Sequence, residues 1–349
     1  MKKKLAVLLL GGLALLNLTA CGEDPDAKKY ALIVNKGTEE YEQYSGQAWE
    51  GIEKFSGEQG VKCGKYEPEG NEVSAVTTVI DQAVDEGAEV VFCIGEDAAE
   101  AVYKAQKSHK KVHFYLIGAE PHKEKSEEPS IRENTSAVYF DEVEQGFLAG
   151  YAAVSEGARS VGFLAGEKSE RNEKLLSGFI QGAEAAASEA GLNAGAVTLY
   201  QKYTGENKLS PAYMADAIEW YKNNCEIIFA PDDKVAASVA KAAENQNREL
   251  ICADADGTAI SAQVLTSANK DYAGFAYYAL KQYVNESFAG ETTTIAGAKE
   301  SAVSLDMEHA SFTAFPQEAY LAMYQKLCDG SYALTETAPT TTIVTIVAE

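Results

Sequence analysis

Two polar residues, Asn35 and Asp254, stand where a bound ligand could be held. Asn35 ends the apolar run YALIVN and Asp254 follows the apolar part of ELICADAD, so each is predicted to lie at the end of a buried strand. In open parallel sheets, ligands bind beyond the carboxyl ends of the strands. Other positions near predicted strand ends are Gly95, Gly118, Gly166, Tyr203 and Pro231. The pattern predicts a binding site at these ends.

The motifs of common enzymes are missing from the sequence. There is no GxSxG elbow, no P-loop and no HExxH, and no histidine sits beside a plausible nucleophile. The stretch GFLAGEKSE has two glycines after a predicted strand but lacks the full dinucleotide fingerprint. We therefore expect neither an enzyme nor a bound cofactor.

Composition excludes two further classes of partner. The formal net charge of −23 argues against nucleic acid, which is bound by clustered lysine and arginine, and against electrostatic adhesion to anionic lipid. The sequence has no CxxC motif or Cys/His cluster, and its four histidines are scattered, so we expect no metal site. The 349 residues are enough to bury one large core or two moderate ones.

The first thirty residues read as an export segment. Three lysines precede an apolar stretch from Leu5 to Leu16, which is too short to span a membrane comfortably. The segment ends Leu-Thr-Ala-Cys, which resembles the bacterial lipobox, so residues 1–20 are interpreted as a signal peptide and Cys21 as the lipidated residue. Residues 21–29 then form a tether, and the lipid holds the protein on the extracytoplasmic face of the cell membrane. The alternative is an ordinary signal peptide with an incidental cysteine.

The other five cysteines are Cys63, Cys93, Cys225, Cys252 and Cys328. Because five is an odd number, at least one thiol is free unless it pairs between molecules. Cys93 and Cys252 lie within apolar runs and are predicted to be buried in strands. The sequence does not decide between disulfides and reduced thiols.

From residue 29 onward, short apolar runs alternate with amphipathic stretches, which indicates an α/β fold with parallel sheets covered on both faces. The rhythm occurs twice, and the connecting stretch TSAVYFDEVEQGFLAGYAAV contains no disordered linker. We therefore expect two discontinuous lobes joined by a hinge. Lobe I is predicted to comprise residues 30–137 and about 269–297, and lobe II residues 138–268 and about 298–349. This architecture resembles the type I periplasmic binding proteins, which hold a ligand in the interlobe cleft.

Several motifs occur in the order and spacing of one family. They are QAWEGIEKF, FDEVEQGFLAGYAA, SVGFLAGEKSERNEKLLSGFIQGAE, ICADADG and VLTSANKD. Together they resemble the basic membrane protein family of lipoproteins, over residues 30 to 270 and more weakly beyond. The best-known members of that family are purine nucleoside receptors of ABC importers. The resemblance implies that two aromatic rings sandwich the base, that amide and carboxylate groups read its edge, and that an aspartate and a lysine hold the ribose.

The resemblance assigns three binding residues to the first lobe. Counting back from Trp49, the family's phenylalanine position is Tyr44 and the residue before it is Gln43, so an aromatic platform and an amide are retained. Tyr44 could instead be a half-exposed tyrosine at the start of a helix. Asn35 stands where the family often has an aspartate at the strand end, and it keeps an acceptor without the charge.

Two further binding residues are assigned to the region of the second lobe. Asp254 and Asp256 match the family's paired aspartates, and Asp254 is expected to accept hydrogen bonds from ligand hydroxyls. Asp256 could instead cap the next turn, which is a frequent role for aspartate. Lys270 matches the family's lysine after Thr-Ser, although a solvated surface lysine is the alternative.

Three positions depart from the family pattern. Asn207 stands where a second aromatic residue is expected, so the sandwich either loses one ring or uses Tyr203. Gly118 replaces an aspartate, with Glu120 close behind it. The glycine-rich loop after the fifth strand of lobe II is replaced by Pro-Asp-Asp-Lys, which contains Asp232. Asn207, Asp232 and Glu120 are therefore weaker candidates for ligand contact.

The sequence thus favours a membrane-anchored substrate-binding lipoprotein of an ABC importer. It would capture a nucleoside-like ligand, most plainly a purine nucleoside, by hinge closure and present it to permease subunits. One alternative is a type I receptor for a sugar or another small metabolite. Another is a surface lipoprotein that senses a ligand without serving a transporter.

Overall fold

The computed structural model describes residues 26–126 and 128–348. The predicted signal peptide and the lipidation site at Cys21 lie outside these residues, as does most of the tether. Strands are β1 (Lys28–Ile33), β2 (Lys62–Tyr66), β3 (Val90–Ile94), β4 (His113–Ile117), β5 (Thr135–Phe140), β6 (Ser160–Ala165), β7 (Val197–Tyr203), β8 (Ile227–Ala230), β9 (Glu249–Ala253), β10 (Val264–Lys270), β11 (Thr292–Ala296), β12 (Val303–Leu305) and β13 (Val344–Ala348).

Helices alternate with these strands along most of the chain. They are α1 (Glu39–Gln59), α2 (Val73–Asp85), α3 (Ala99–Ser108), α4 (Glu142–Ser155), α5 (Glu170–Glu189), α6 (Pro211–Lys222), α7 (Asp233–Gln246), α8 (Gly257–Ile260), α9 (Tyr272–Val284) and α10 (Gln317–Cys328). Short 3-10 turns occur at Glu96–Ala98 and Ala298–Glu300.

Two sheets divide the described chain into two lobes. In lobe I the strand order is β11-β5-β4-β3-β1-β2, and in lobe II it is β12-β10-β9-β8-β6-β7-β13. Neighbouring strands are parallel, except that β12 runs antiparallel to β10. The predicted α/β fold with two parallel-sheet lobes is confirmed. The short antiparallel strand β12 was not predicted.

The chain passes between the sheets at three places. It leaves lobe I after Phe140, returns after Lys270 and leaves again after Ala296. The strands β5 and β10 continue to Phe140 and Lys270, beyond the predicted boundaries at residues 137 and 268. The apolar pattern runs on without a break there, so the sequence does not mark where each strand ends.

Each of the first two crossings is a strand, an aspartate and a helix. The side chain of Asp141 accepts hydrogen bonds from the first turn of α4, and that of Asp271 does the same for α9. Aspartate is a preferred N-cap because its carboxylate satisfies free N–H groups of the first turn. The backbone N–H groups of the two aspartates also donate to Ala296 O (2.9 Å) and Ala302 O (2.7 Å). The three crossings are therefore tied together by backbone hydrogen bonds.

Helices α4 and α5 pack closely over the lobe II sheet. Gly146 and Gly150 of α4 face the backbone of α5, and Gly178 and Gly182 of α5 face the backbone of α4. The four-residue spacing places each pair of glycines on one face of its helix. A Cβ atom at Gly178 would lie 1.9 Å from the backbone oxygen of Val143. The glycines of the motifs in this region therefore allow the backbones of the two helices to come into contact.

All five cysteines within the described residues are free thiols. Cys93 in β3 and Cys252 in β9 are fully buried, as predicted, and Cys225 is buried beside β8. Burial raises the pKa of the Cys93 thiol to about 12. These buried thiols are packing residues, since a thiolate is strongly disfavoured there.

Candidate ligand-binding site

A cavity of about 650 Å³ lies between helix α1 of lobe I and the strand ends of lobe II. From lobe I it is lined by Glu40, Gln43 and Tyr44. From lobe II it is lined by Arg171, Asn207, Pro231, Asp232, Asp233, Ala253, Asp254, Ala255, Asp256, Ala259 and Ile260. A smaller cavity of about 190 Å³ shares Gln43, Tyr44 and Asp254 and adds Lys270. A cleft therefore lies at the strand ends of lobe II, where the sequence predicts a binding site.

Asp254 accepts hydrogen bonds from three donors. Its Oδ1 accepts from the backbone N–H of Lys270 (2.7 Å) and from Nε2 of Gln145 (2.8 Å), and its Oδ2 accepts from Arg171 (3.1 Å). The backbone at Asp254 is left-handed, with φ of 53°, a conformation that aspartate adopts more readily than most residues. Burial opposes ionisation, but the charges of Lys270 and Arg171 and the hydrogen bonds hold the pKa of Asp254 below its usual value.

Arg171 is a central residue of the site that the sequence analysis missed. Its guanidinium donates to Asp254 Oδ2 (3.1 Å) and to Asp232 Oδ1 (3.4 Å). Burial disfavours the charged guanidinium, but the charges of Asp254 and Asp232 outweigh it and raise the pKa of Arg171. The one sequence signal is its position in the first turn of α5, shortly after the end of strand β6.

Asp232 and Asn207 connect neighbouring loops of lobe II. Oδ2 of Asp232 accepts from the backbone N–H of Gly166 (2.6 Å) and from Nδ2 of Asn172 (2.9 Å). Asn207 donates to Asp233 Oδ1 (2.8 Å) and accepts from the backbone N–H of Lys234 (3.1 Å). Both residues line the cavity, and their hydrogen bonds fix the loops that carry them.

Tyr44 contributes the aromatic surface of lobe I. Helix α1 begins after Thr38, whose side chain accepts a hydrogen bond from the N–H of Tyr41. One turn further on, Tyr44 donates its hydroxyl to Glu40 and stacks on Tyr272 of α9. Burial and the charge of Asp254 raise the pKa of Tyr44 far above its ordinary value, so the hydroxyl stays protonated. Gln43 is exposed and lines both cavities.

Lys270 approaches Asp254 twice. Its backbone N–H donates to Oδ1, and its ammonium Nζ lies 4.0 Å from Oδ2. The Lys270 side chain is 17% exposed, which is not the environment of a solvated surface lysine. Asp256 also lines both cavities, while its carboxylate accepts from the N–H of Thr258 (2.9 Å) and so caps helix α8.

Three residues singled out from the sequence are placed elsewhere by the fold. Asn35 is buried, where it donates to Ile94 O (2.8 Å) and accepts from the N–H of Gly37 (2.7 Å), so its amide ties β1 to β3. Glu120 accepts a hydrogen bond from Thr293 of β11. Tyr203 lies against α5 in a separate cavity of about 480 Å³ and packs edge-on against Phe163. Among the described residues, neither interlobe cavity has any of these three in its lining.

The larger cavity is acidic. Among the described residues, five carboxylates line it, against the single guanidinium of Arg171; the carboxylates belong to Glu40, Asp232, Asp233, Asp254 and Asp256. Carboxylates accept hydrogen bonds from hydroxyl, amide and amine groups and repel anions. The cleft therefore suits a ligand rich in hydrogen-bond donors and disfavours a phosphate ester. Over residues 26–126 and 128–348, no three His, Cys, Asp or Glu residues come together as possible metal ligands.

Residues 28–329 match the family model Bmp, described as an ABC transporter substrate-binding protein, PnrA-like. The chain belongs to this family. The description of this family is that of substrate-binding proteins of ABC transporters. The family resemblance drawn from the sequence motifs is confirmed.

Individual relatives of this Bmp-family chain are distant. It is 24% identical over 164 residues to the ABC transporter nucleoside-binding protein BmpA of Lactococcus lactis subsp. cremoris (strain MG1363), a match that spans 46% of this chain and only 44% of that relative. A solute-binding protein of an ABC transporter system from Conexibacter woesei DSM 14684 superposes with a TM-score of 0.66 at 20% identity, covering 89% of this chain and 99% of that one.

A second solved structure, a transcriptional activator of the comK gene from Bacillus halodurans, gives a TM-score of 0.62 at 19% identity, covering 89% of this chain and 100% of that one. At such identities the two structures establish the fold alone. None of the helices within the described residues has both the length and the apolar character that a membrane crossing requires.

Proposed function

We propose that this Bmp-family protein binds a purine nucleoside and delivers it to the permease subunits of an ABC importer. The Lactococcus relative is named a nucleoside-binding protein, which supports this choice of ligand. The acidic lining of the cleft also supports an uncharged nucleoside over a nucleotide, because a phosphate would meet several carboxylates.

The observation that carries the proposal is the common cavity of Tyr44 and Asp254. An aromatic face suits any flat heterocycle through offset stacking. An aspartate flanked by cationic donors suits a hydroxyl pair, since Asp254 can accept the proton of one hydroxyl while Arg171 and Lys270 donate to the hydroxyl oxygens. A nucleoside combines these two chemical features in one molecule.

Binding is proposed to close the cleft about the three chain crossings. Gln43 and Tyr44 belong to lobe I, Asp254 belongs to lobe II, and Lys270 is the last residue of β10 before a crossing. A ligand that contacts both lobes stabilises the closed arrangement over the open one by its differential affinity. Closure then presents the surface that the permease recognises.

We further propose that a lipid on Cys21 anchors the protein at the extracytoplasmic face of the membrane. The lipobox-like Leu-Thr-Ala-Cys and the lysines before the apolar stretch support this. Mass spectrometry of the mature protein tests the anchor. Release of an unmodified chain that begins elsewhere than at Cys21 would contradict it.

A thermal-shift screen of the purified protein tests the ligand. The panel holds purine and pyrimidine nucleosides, free bases, pentoses and hexoses. A ligand at a hundred times its dissociation constant stabilises the native state by about 2.7 kcal/mol, which is readily seen. The proposal predicts a shift with a purine nucleoside, and absence of a shift with every nucleoside would contradict it.

A sugar is the second candidate, because one observation favours it. Of the described residues that line the larger cavity, Tyr44 alone is aromatic, while acids that can accept from hydroxyls are abundant. Asn207 occupies the position expected for a second ring, and Tyr203 faces α5 instead. A shift with a pentose or hexose, in the absence of any nucleoside effect, would select this candidate.

A further inference from the structure

Among the described residues that line the larger cavity, Arg171 is the one cation, and it pairs with two of the acids. Its Nη2 donates to Asp254 and its Nη1 to Asp232, while the side chain keeps 30% of its surface exposed. The two aspartate side chains are only 13% and 10% exposed. A flat guanidinium reaches both because its donors are arranged as a rigid fork.

Existing hydrogen bonds leave each of the two aspartates few acceptor positions for another cation. Asp232 accepts from the Gly166 N–H, from Asn172 and from Arg171. Asp254 likewise accepts from three donors, of which Arg171 is the only charged side chain within hydrogen-bond distance. An ionised carboxylate has about four acceptor positions, so each aspartate keeps about one for a ligand.

Lys270 does not replace Arg171 in this role. Its ammonium lies 4.0 Å from Asp254, and it lines the smaller cavity rather than the larger one. Without Arg171, Asp232 and Asp254 would leave an anionic pocket suited to a protonated amine. With Arg171 in place, a ligand amine meets a guanidinium, whereas a hydroxyl can accept from the guanidinium and donate to a carboxylate.

We propose that Arg171 is a specificity-determining residue, which makes this cleft select an uncharged, hydroxyl-bearing ligand over one with a protonated amine at the same place. The inference rests on the proposed nucleoside-binding function and deepens it. The inference concerns the charge of the ligand group that binds Asp254. It does not concern the identity of the base.

Paired ligands test the inference. Isothermal titration would compare adenosine with 3′-amino-3′-deoxyadenosine, at a pH where the amine is protonated, for the wild-type protein, Arg171→Gln and Arg171→Lys. We expect wild type to prefer adenosine by about tenfold or more, and Arg171→Gln to lose that preference, which is a change of about tenfold or more in the affinity ratio. Arg171→Lys keeps the charge and is expected to retain most of the preference for adenosine.

The outcomes distinguish a failure of the inference from a failure of the proposed function. If Arg171→Gln weakens both ligands by the same factor, Arg171 only supports the loops and the inference is wrong. If wild type prefers the amine, the cleft is built for cations and the inference is wrong although a nucleoside binds. If wild type binds neither ligand nor any other nucleoside, the proposed function itself fails and the inference falls with it. The thermal melt of each variant without ligand shows whether it is folded.

Discussion

Tyr44 and Tyr272 stack face to face, with ring centroids 4.4 Å apart and ring planes 15° apart. Tyr272 is the first residue of α9 and also meets Phe140, the last residue of β5, edge-on at 4.6 Å. The aromatic platform of the cleft is therefore built onto the two crossings that precede α4 and α9. One face of Tyr44 is used by the protein, so a ligand can stack only on the other. Tyr44 is only 5% exposed, although it lines both cavities of the cleft.

Substitution at Tyr44 is predicted to separate packing from hydrogen bonding. Tyr44→Ala removes a buried ring and should lower the free energy of unfolding by about 3–5 kcal/mol, as for other buried aromatics. Tyr44→Phe keeps the stack on Tyr272 and loses only the hydrogen bond to Glu40, a loss of about 1 kcal/mol. Urea unfolding followed by circular dichroism measures both. Equal stability of the two variants would show that the stack contributes nothing.

Asp254→Asn is predicted to impair ligand binding far more than Asp256→Asn. Asparagine places an NH2 group, which donates, against the donors that Asp254 accepts from. It also removes the negative charge shared by Arg171 and Lys270. Nucleoside affinity should therefore fall by about tenfold or more. Asp256 caps the short helix α8 and is exposed, and its substitution should change affinity by less than about threefold. Titration calorimetry with the nucleoside that stabilises the wild type distinguishes the two. Similar losses for both would remove Asp254 from its proposed role.

Glu144, which contacts the third chain crossing, is predicted to make stability depend on pH. It reaches from α4 to the third crossing, where the N–H of Ala298 donates to it at 2.5 Å. Burial raises the pKa of Glu144 to about 7, and the negative charges of Asp141 and Glu300 add to the effect despite that hydrogen bond. Since the folded-state pKa exceeds the unfolded value, the ionised form is disfavoured in the fold. The stability that Glu144 contributes therefore increases as the pH falls from about 7 towards the unfolded value and is lost as the pH rises through about 7.

Glu144→Gln should remove this dependence. We expect the variant to melt higher than wild type at pH 8 and the difference to shrink at pH 5, when Glu144 is protonated in the folded protein. Glu142→Gln, in the same first turn of α4, is the matched control for the loss of one carboxylate from this helix. Melting curves across this range are the measurement. A difference between wild type and Glu144→Gln that stays constant with pH would contradict the prediction.

Sequence patterns predicted the lobes because burial on both faces of a parallel sheet requires continuous apolar strands. The strand-end pattern also marked Asp254, and the family resemblance marked Lys270; the fold brings the two together at neighbouring strand ends. Arg171 and Gln145 were missed because their role depends on which loops and helices meet at Asp254, a long-range property that no local pattern encodes. Asn35 sits at a strand end as predicted, yet its amide is used to join β1 to β3.

The contact between α4 and α5 gives a last prediction. A methyl group at Gly178 would lie 1.9 Å from Val143 O and 2.7 Å from Phe147 N, so Gly178→Ala must force the helices apart. Overpacking of this kind costs about 1–3 kcal/mol, and here the obstacle is backbone, which cannot rotate away. Gly57→Ala in α1 is the matched control, because nothing lies within 4 Å of the added methyl group. Alanine is the better helix former, so Gly57→Ala should stabilise the protein by about 0.5–1 kcal/mol. Unfolding curves of the two variants should therefore move in opposite directions, and a shift of Gly178→Ala towards higher stability would show that the helices are not in backbone contact.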